Sequence, residues 1–375
     1  MRIPRLARVA AVLAVLGASL TALSVASASA TPVISTIMLR QASAYTPHAP
    51  PGATDDYHCT LMDPHVTTNS YIVSSQFFPG SKEDHHAILF LVPPDLAAAA
   101  EAANVGGLGW SCFGEAPIPN TGLGQISNTP WLSAWSPGHG ADDLPKDTGI
   151  YLPAGSLVVM QVHYNLLVGD KPVKNSLALY TVPATTPLLP LRLSLMPAPP
   201  DVPCASDVSG PLCNRAASLA NLGQRFGQSS VDFVNTLESI CGRNPADPPM
   251  GDSTSCNWPI GQAGYIVRVG AHMHLLGVSF KLVLNPGTAS AKTILDVPDY
   301  NFHYQKAYNL ATPVPVAPGD VVQVQCTYNP ALAQEQPLLR TVAPHFVTWG
   351  DGSSDEMCLG LMWTSATLPN PSFPV

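Results

Sequence analysis

Proline is the residue that most restricts how this chain can fold. The sequence has 39 prolines among 375 residues, roughly double the average usage in proteins. Because proline disrupts helix interiors and the middle of a sheet, it is confined to turns, strand edges and irregular connections. Runs rich in β-branched and aromatic residues recur between the prolines, and turn sequences such as FFPGSKED and YLPAGS separate them. The sequence therefore predicts an all-β protein built from many short strands.

The strand-like runs fall into two groups on either side of a proline-dense passage at residues 181–203. HHAILFLV and SLVVMQVHYNLLV are typical of the first group, and GYIVRVGAHMH and EMCLGLMWTSA of the second. One helical stretch is predicted at about residues 214–242, where apolar positions are spaced and β-branched runs are few. We predict two antiparallel β-sandwich domains, at residues 31–185 and 186–375, with a helical insertion at about 204–256 in the second.

The N-terminus has the three parts of a secretory signal peptide. Arginines at positions 2, 5 and 8 form a basic region, an apolar stretch follows, and the small residues 28–30 form a cleavage site. We predict cleavage after Ala30 and an extracellular mature protein; an uncleaved N-terminal anchor is the alternative. No later segment reaches ~18 uninterrupted apolar residues, so the sequence predicts no transmembrane segment in the mature chain.

Charge and cysteine content narrow the class of protein further. Charged residues make up 11% of the chain and the net charge is −8. No basic patch is visible, so nucleic acid is not a predicted partner. The eight cysteines are an even number in an exported chain, which makes disulfide bonds the default interpretation for each of them.

Two histidines one residue apart in an apolar segment suggest a metal site. His272 and His274, in GAHMHLLG, point to the same face if the segment is a strand, because side chains alternate across a strand. Two imidazoles side by side on one buried face lose their hydration. This loss costs free energy unless a bonding partner compensates for it. A metal ion is the obvious candidate for that partner, provided that the rest of the chain supplies further ligands.

Three more clusters contain residues that bind metals. His85 and His86 begin a strand, and adjacent side chains reach one ion only at a strand end or a bulge. His163 lies within another strand, and Met357 lies beside Cys358. Taken singly, each has an ordinary explanation, such as a surface histidine, a hydrogen-bonded core histidine or a methionine that fills the core. Their combination is more informative than any one of them.

The candidate ligands sort into two sets, one in each predicted domain. The first ligand set has three imidazoles and the second has two imidazoles and a thioether: His85, His86 and His163, then His272, His274 and Met357. Thioether sulfur favours Cu(I), whereas imidazole serves both Cu(I) and Cu(II). Structural zinc prefers four ligands, typically including cysteine thiolates. A zinc hydrolase is disfavoured because no acidic residue adjoins the HMH sequence to act as a base.

The order of these motifs resembles the copper type II ascorbate-dependent monooxygenases, which include the peptidylglycine α-hydroxylating and dopamine β-hydroxylating enzymes. HH, QVHY, HMHLLG and SSDEMC follow one another as in that family, and the resemblance covers most of the mature chain. YHCTLM at residues 57–62 resembles the family's early cysteine motif, and residues 133–156 resemble the segment before the third histidine. The resemblance implies two antiparallel jelly-roll sandwiches that face a cleft, with one copper ion on each.

The resemblance also implies a role for each ligand set. The first set would hold a copper that transfers electrons, and the second a copper that binds O₂ where the substrate is hydroxylated. Ascorbate or another one-electron reductant would supply one electron to each copper, and a small organic substrate and O₂ would be the other partners. A disulfide between Cys326 and Cys358 is implied beside Met357.

The remaining cysteines depart from the family. Cys59 and Cys112 are the two in the first domain, and we predict that they form a pair. The four cysteines around the helical stretch allow three connectivities. Of these we favour Cys204–Cys213 and Cys241–Cys256.

Substrate positions also differ from those of the peptide-amidating enzymes. Those enzymes bind a carboxylate with an arginine two residues before the H-x-H pair, where this chain has Gly270. They place an asparagine and a tyrosine after the methionine, where this chain has Leu359 and Leu361. Arg268 lies on the same strand face but about 6.6 Å further back, at ~3.3 Å per residue. We therefore expect a rather apolar substrate, with Gln161 as a further candidate in the cleft.

The lead hypothesis is a secreted dicopper monooxygenase. The main alternative is a non-catalytic copper-binding or carrier protein on the same scaffold, which needs neither an electron-storing site nor a methionine-containing O₂ site. A structural sandwich with incidental histidines is a third interpretation. His345 is a candidate to support the methionine ligand, and His65 or His139 is a candidate replacement for a ligand. No role is predicted for the other histidines: His48, His58 and His303.

Overall fold

The computed structural model describes residues 33–113, 118 and 131–368. Strands account for 43% of it and helices for 14%, which confirms the prediction of a mostly β protein. The segment with the predicted signal peptide lies outside the described residues. Within them, no helix is both long and apolar enough to cross a membrane.

Two sheets are built from strands that precede Leu191. The larger has the order β1-β10-β3-β8-β11 with β7 beside β3, and the second has the order β5-β2-β9-β4-β6. Neighbouring strands are antiparallel except for the parallel pair β8 and β11. The strands are β1 Ser35–Arg40, β2 Asp55–Met62, β3 Ser70–Phe78, β4 Asp84–Val92, β5 Trp110–Ser111, β6 Trp131–Trp135, β7 Asp142–Asp143, β8 Thr148–Leu152, β9 Leu157–Asn165, β10 Ser176–Pro183 and β11 Leu189–Pro190.

Three antiparallel sheets are built from strands that follow Leu191. Their orders are β12-β21-β15-β18, β14-β19-β16-β17 and the pair β13-β20. The strands are β12 Arg192–Pro197, β13 Asp201–Val202, β14 Ser253–Pro259, β15 Gly264–Met273, β16 Gly277–Leu284, β17 Lys292–Val297, β18 Ala307–Val316, β19 Val321–Tyr328, β20 Val347–Thr348 and β21 Cys358–Ser365.

Alternating side chains build the two main hydrophobic cores. In β19 every second residue is buried, so that Val322, Val324, Cys326 and Tyr328 face inward while the glutamines face outward. The core after Leu191 lies between the sheets that contain β15 and β16. The core before Leu191 lies between the sheets that contain β3 and β9, and it also includes Val267, Leu361 and Trp363 from the later strands.

The helical insertion consists of two helices, α2 Arg215–Phe226 and α3 Gln228–Ile240. They fill the helical stretch expected at about residues 214–242, and they are separated at Gly227, which has a φ of 90°, a conformation that glycine adopts easily and that ends a helix. Asn214 begins α2, since its side chain accepts a hydrogen bond from the amide of Ala217 at 3.1 Å. Two further helices, α1 Ala97–Ala103 and α4 Leu332–Glu335, were not predicted.

Four disulfides are present, and no described cysteine is free. Two of them bracket the helical insertion and one joins β19 to β21. They are the four pairs that the sequence analysis favoured: Cys59–Cys112, Cys204–Cys213, Cys241–Cys256 and Cys326–Cys358.

Candidate metal centre

An irregularity at the start of β4 brings the first ligand set together. The pairing of β4 with β9 shifts register between Asp84 and His86, so that His86 lies directly opposite His163. The shift allows consecutive side chains to turn toward one point, as a bulge does. The His85 ring centroid is 5.0 Å from that of His163, and His163 Nδ1 is 3.1 Å from His86 Nε2. The buried Nε2 of His85 has no hydrogen-bond partner.

Asp55 on β2 fixes the orientation of His163. Both side chains are buried, and His163 Nε2 lies 2.9 Å from Asp55 Oδ1. Burial alone would raise the pKa of Asp55, but the hydrogen bonds from His163 and Ser353 hold the pKa below its ordinary value. Because an ionised carboxylate only accepts hydrogen bonds, His163 carries its proton on Nε2. Its Nδ1 is then the nitrogen that faces His86.

The second ligand set is held through the Nδ1 atoms of its imidazoles. His272 Nδ1 is 2.6 Å from Gln305 Oε1, and His274 Nδ1 is 3.1 Å from the carbonyl oxygen of Asp355. Both partners are acceptors, so each ring donates from Nδ1 and keeps a lone pair on Nε2. The Nε2 of His274 is buried and has no partner. This is the arrangement of a metal-binding histidine whose other nitrogen is anchored.

Residues 350–357, here called the methionine loop, are held by buried hydrogen bonds. The Glu356 carboxylate accepts from the amides of His274 at 2.9 Å, Leu276 at 2.6 Å and Met357 at 3.2 Å. Burial raises the pKa of Glu356 to about 8, although these bonds act in the opposite direction. The acidic residues Asp355 and Glu356 are therefore not a solvated turn: both are buried, and Glu356 fixes the loop that presents Met357.

The methionine loop is linked to the first ligand set through Asp55, and it contacts the helical insertion directly. Ser353 donates to Asp55 from its amide at 3.0 Å and from its hydroxyl at 2.6 Å, and Asp55 in turn holds His163. Arg225 of α2 donates to both carboxylate oxygens of Asp355, at 2.7 and 2.6 Å. One loop therefore supports an imidazole in each set.

The two ligand sets adjoin each other. The ring centroids of His86 and His272 are 5.5 Å apart, and Phe302 stacks on His85 at 4.1 Å while lying 6.0 Å from His274. Burial, reinforced by the neighbouring imidazoles, lowers the pKa values of His85, His86 and His274 well below the ordinary value. Burial likewise lowers the pKa of His272 to about 4. These imidazoles are neutral at physiological pH, which is the state that binds metals.

The donor chemistry of the cluster fits copper. Among the described residues, no three His, Cys, Asp or Glu side chains are already arranged around one metal position. The buried Nε2 atoms of His85 and His274 have no hydrogen-bond partner in the described part of the chain. A metal ion would satisfy both lone pairs, and imidazoles with one thioether would suit copper better than a hard cation.

A cavity of about 520 Å³ borders the candidate ligands His86, His272 and Met357. The predicted substrate residues line the same cavity: Gln161, Arg268, Leu359 and Leu361. The Gln161 amide donates to the carbonyl oxygen of Cys112 at 3.4 Å. The guanidinium of Arg268 pairs with Asp142.

The other histidines lie in varied surroundings. His345 contacts the methionine loop through the carbonyl oxygen of Ser354, at 3.0 Å, and His139 lines the cavity. His58 stacks on Tyr45 at 3.6 Å, away from both ligand sets, and His65 is exposed beside Asp63.

The contacts of Asp55, Gln305, Phe302 and Arg225 were not foreseen from the sequence. Each of these residues reaches the centre from a segment that is distant in sequence from the residue it contacts. For Asp55, the pairing register of the strands would have been the signal. Tyr57 of β2 lies opposite His163 of β9, and Asp55 lies two residues before Tyr57 on the same face of the strand.

Comparison with known proteins gives one family match. Residues 252–364, which contain the whole second ligand set, match the copper type II ascorbate-dependent monooxygenase, C-terminal domain. A search of curated proteins found no match. Among solved structures, PNGF-II is 10% identical over 88% of this chain and 66% of that chain, with a TM-score of 0.36. A fucolectin from striped bass is 7% identical over 82% of this chain and 85% of that chain, with a TM-score of 0.18.

Proposed function

We propose that the chain is a secreted copper-dependent monooxygenase, because residues 252–364 match the copper type II ascorbate-dependent monooxygenase, C-terminal domain. It hydroxylates an activated C–H bond of a small, rather apolar organic molecule. The observation that carries the proposal is a cluster of five imidazoles, three of them buried and two half-buried, beside a cavity that His86, His272 and Met357 border. Anchored Nδ1 atoms and unpartnered Nε2 atoms support metal binding there.

Two copper ions are proposed, one for each ligand set. Bound copper supplies one-electron redox chemistry and the activation of O₂. The chain's own groups prepare the ligands: Asp55 holds the proton of His163 on Nε2, and Gln305 holds that of His272 on Nδ1. The disulfide between Cys326 and Cys358 fixes β21 immediately after Met357. Burial of the imidazoles keeps water and protons from competing for their lone pairs.

The proposed reaction balances with a one-electron donor such as ascorbate. One oxygen atom of O₂ enters the C–H bond to give an alcohol, and the other becomes water. This requires two electrons and two protons, so two molecules of the donor each lose one electron. The thioether of Met357 favours Cu(I) in the second set, which suits it for O₂, while the three imidazoles of the first set suit electron transfer.

Secretion and the domain division are parts of the same proposal. The four disulfides are typical of an oxidising compartment, and we propose cleavage after Ala30. We also propose two jelly-roll domains, at residues 31–185 and 186–375, that each carry one ligand set. Each described sheet takes its strands from one side of Leu191, which supports a division into two halves. The strand β11, at Leu189–Pro190, pairs with β8 of the first half although it follows residue 186.

Copper content and turnover test the proposal together. Residues 31–375, loaded with copper and dialysed, are expected to hold two ions per chain. A His272→Ala/His274→Ala variant is expected to hold about one. Met357→Ala should lose ascorbate-dependent O₂ consumption with apolar substrates while it keeps the copper of the first set.

Two outcomes would count against this function. Two tightly bound coppers without ascorbate-dependent O₂ consumption would favour the copper carrier. Full activity in Met357→Ala would show that the O₂ site is wrongly assigned.

A further inference from the structure

Aromatic side chains form much of the wall of the cavity beside the candidate metal centre. Five of the chain's six tryptophans line it: Trp131, Trp135, Trp258, Trp349 and Trp363. Tryptophan offers a large, rigid apolar surface whose face stacks on other rings. Such a wall favours a ligand with a flat or compact apolar ring system over a flexible polar chain.

The helical insertion supplies another wall of the same cavity. Phe233, Leu237 and Ile240 of α3 line it, and their spacing of three or four residues puts them on one face of the helix. Val234 lies on a different face and packs with Leu222 and Phe226 of α2. Helix α3 therefore has one apolar face for its partner helix and a second for the cavity.

One residue of this second face is unusually exposed. Ile240 is 56% exposed although it borders the cavity. A large apolar side chain at the edge of an apolar cavity gains free energy when a ligand covers it.

The cationic side chains of the cavity, Arg268 and Lys306, are poorly suited to bind an anionic ligand. Arg268 pairs with Asp142 and also donates to the carbonyl oxygen of Asp143, at 2.9 Å. Lys306 is exposed, and its ammonium lies over the ring of Tyr308 at 4.9 Å from the centroid. A carboxylate in the cavity would have to break one of these arrangements or lose hydration without compensation.

We propose that this cavity binds uncharged, largely apolar ring compounds, and that α3 is the element that selects them. A volume of about 520 Å³ is in the range of sites for drug-sized molecules. A compound held between α3 and the tryptophans also contacts the side that presents His272 and Met357. The assignment of this compound as a substrate rests on the proposed function, whereas its binding does not.

Isothermal titration calorimetry on copper-free protein tests the binding with two matched probes. 2-Naphthalenemethanol is neutral, and 2-naphthoate has the same rings with a carboxylate. We expect the neutral probe to bind at least about tenfold more tightly, since burial of an uncompensated charge opposes binding of the anion. Equal or tighter binding of 2-naphthoate, or no binding of the neutral probe, would overturn the proposal.

Variants on α3 locate the bound probe. Phe233→Ala removes a ring from the wall and should weaken binding of 2-naphthalenemethanol by about tenfold. Thr236→Arg places a charge at an exposed lining position without removing a buried contact, and it should weaken binding by a similar factor. Ser239→Ala, on the same helix but outside the cavity, is the matched control and should bind normally. Unchanged binding in both lining variants would refute the role of α3.

The same samples separate this inference from the proposed function. Copper content should be unaffected by Phe233→Ala and Thr236→Arg, because neither residue contacts the imidazoles. If the protein binds the neutral probe but takes up no copper, the inference about the cavity stands and the proposed monooxygenase function is refuted. If the protein binds copper and consumes O₂ but binds 2-naphthoate more tightly than the neutral probe, the proposed function stands and the inference about the cavity is refuted.

Discussion

Asp55 shows how much of the centre depends on single buried residues outside the ligand sets. Its carboxylate accepts hydrogen bonds from His163, from Ser353 and from the hydroxyl of Thr54 at 2.7 Å. It therefore connects an imidazole of the first set to the loop that presents Met357. A ligand residue is recognisable in a sequence by its type, but a carboxylate that orients a ligand is one acidic residue among 25.

Replacement of Asp55 by asparagine should weaken the first copper site. The amide keeps the shape of the side chain but loses the charge that stabilises the proton on His163 Nε2. Loss of such a supporting carboxylate typically costs 10–100-fold in metal affinity, and we expect about that loss at one of two sites in a competition titration. Asp56→Asn is the matched control, because Asp56 accepts from Tyr45 at 2.7 Å instead. Equal affinities in the two variants would contradict this role.

Glu238 should make stability depend on pH. It is fully buried on α3 near Arg215 and Arg243, and burial together with Asp201 raises its pKa from 4.5 to about 9. Between these values the folded protein keeps a proton that the unfolded chain has lost. Stability must therefore fall as pH rises through this window, with a limiting slope of about 1.4 kcal/mol per pH unit for one proton.

Glu238→Gln tests this because glutamine has no proton to lose. The variant should be more stable than the parent at pH 8.5 and similar to it near pH 5, as measured by chemical unfolding. Replacement of the exposed Glu335 by glutamine serves as the control. The free energy of unfolding of the parent should not rise faster than that of Glu238→Gln between pH 6 and pH 8.5. If it does, Glu238 is not the group that keeps its proton in the folded state.

At the scale of elements, the ion pair of Arg225 with Asp355 joins the helical insertion to the candidate metal centre. Both side chains are almost fully buried, and the carbonyl of Asp355 holds His274. The insertion thus does more than cover the protein surface. It stabilises the loop that carries the candidate ligand Met357 and that anchors the candidate ligand His274.

Arg225→Met should be strongly destabilising because it leaves the Asp355 carboxylate buried without its cation. Breaking one partner of a buried pair costs about 3–5 kcal/mol, so the unfolding midpoint in denaturant should fall clearly. The double variant Arg225→Met/Asp355→Asn should recover part of the loss, since the unpaired charge is then gone. A double variant less stable than the single one would show that the carboxylate itself is not the cause.

Element boundaries show where the sequence was informative and where it was not. The strand-like runs and the disulfide-bracketed insertion were predictable, because apolar alternation and cysteine spacing are local signals. The break at Gly227 depended on a backbone angle, and AAAAEAA of α1 was too short to show a helical period. The bulge at His85 was anticipated as a requirement for two adjacent ligands, but its position in the β4–β9 pairing required the register.

On the scale of the whole molecule, the sequence predicted which candidate ligands belong together in each half but not how close the halves lie. Periodicity gives the inward face of a strand, whereas the contact of one sheet with another depends on shapes of side chains distant in sequence. Tertiary packing brings His86 within 5.5 Å of His272 between ring centroids. The same packing inserts Trp363 of β21 into the core that lies before Leu191.

This shared core predicts that residues before and after Leu191 unfold together. Val267, Leu361 and Trp363 are each 9% exposed or less, and their removal from that core would expose apolar surface on both sides. We expect one calorimetric transition for the metal-free chain. Trp363→Ala, at a cost of about 3–5 kcal/mol for a large core residue, should lower the temperature of that whole transition. Two separate transitions in the parent, only one of which shifts in Trp363→Ala, would instead mean that each half folds independently and that the ligand sets meet only when the halves dock.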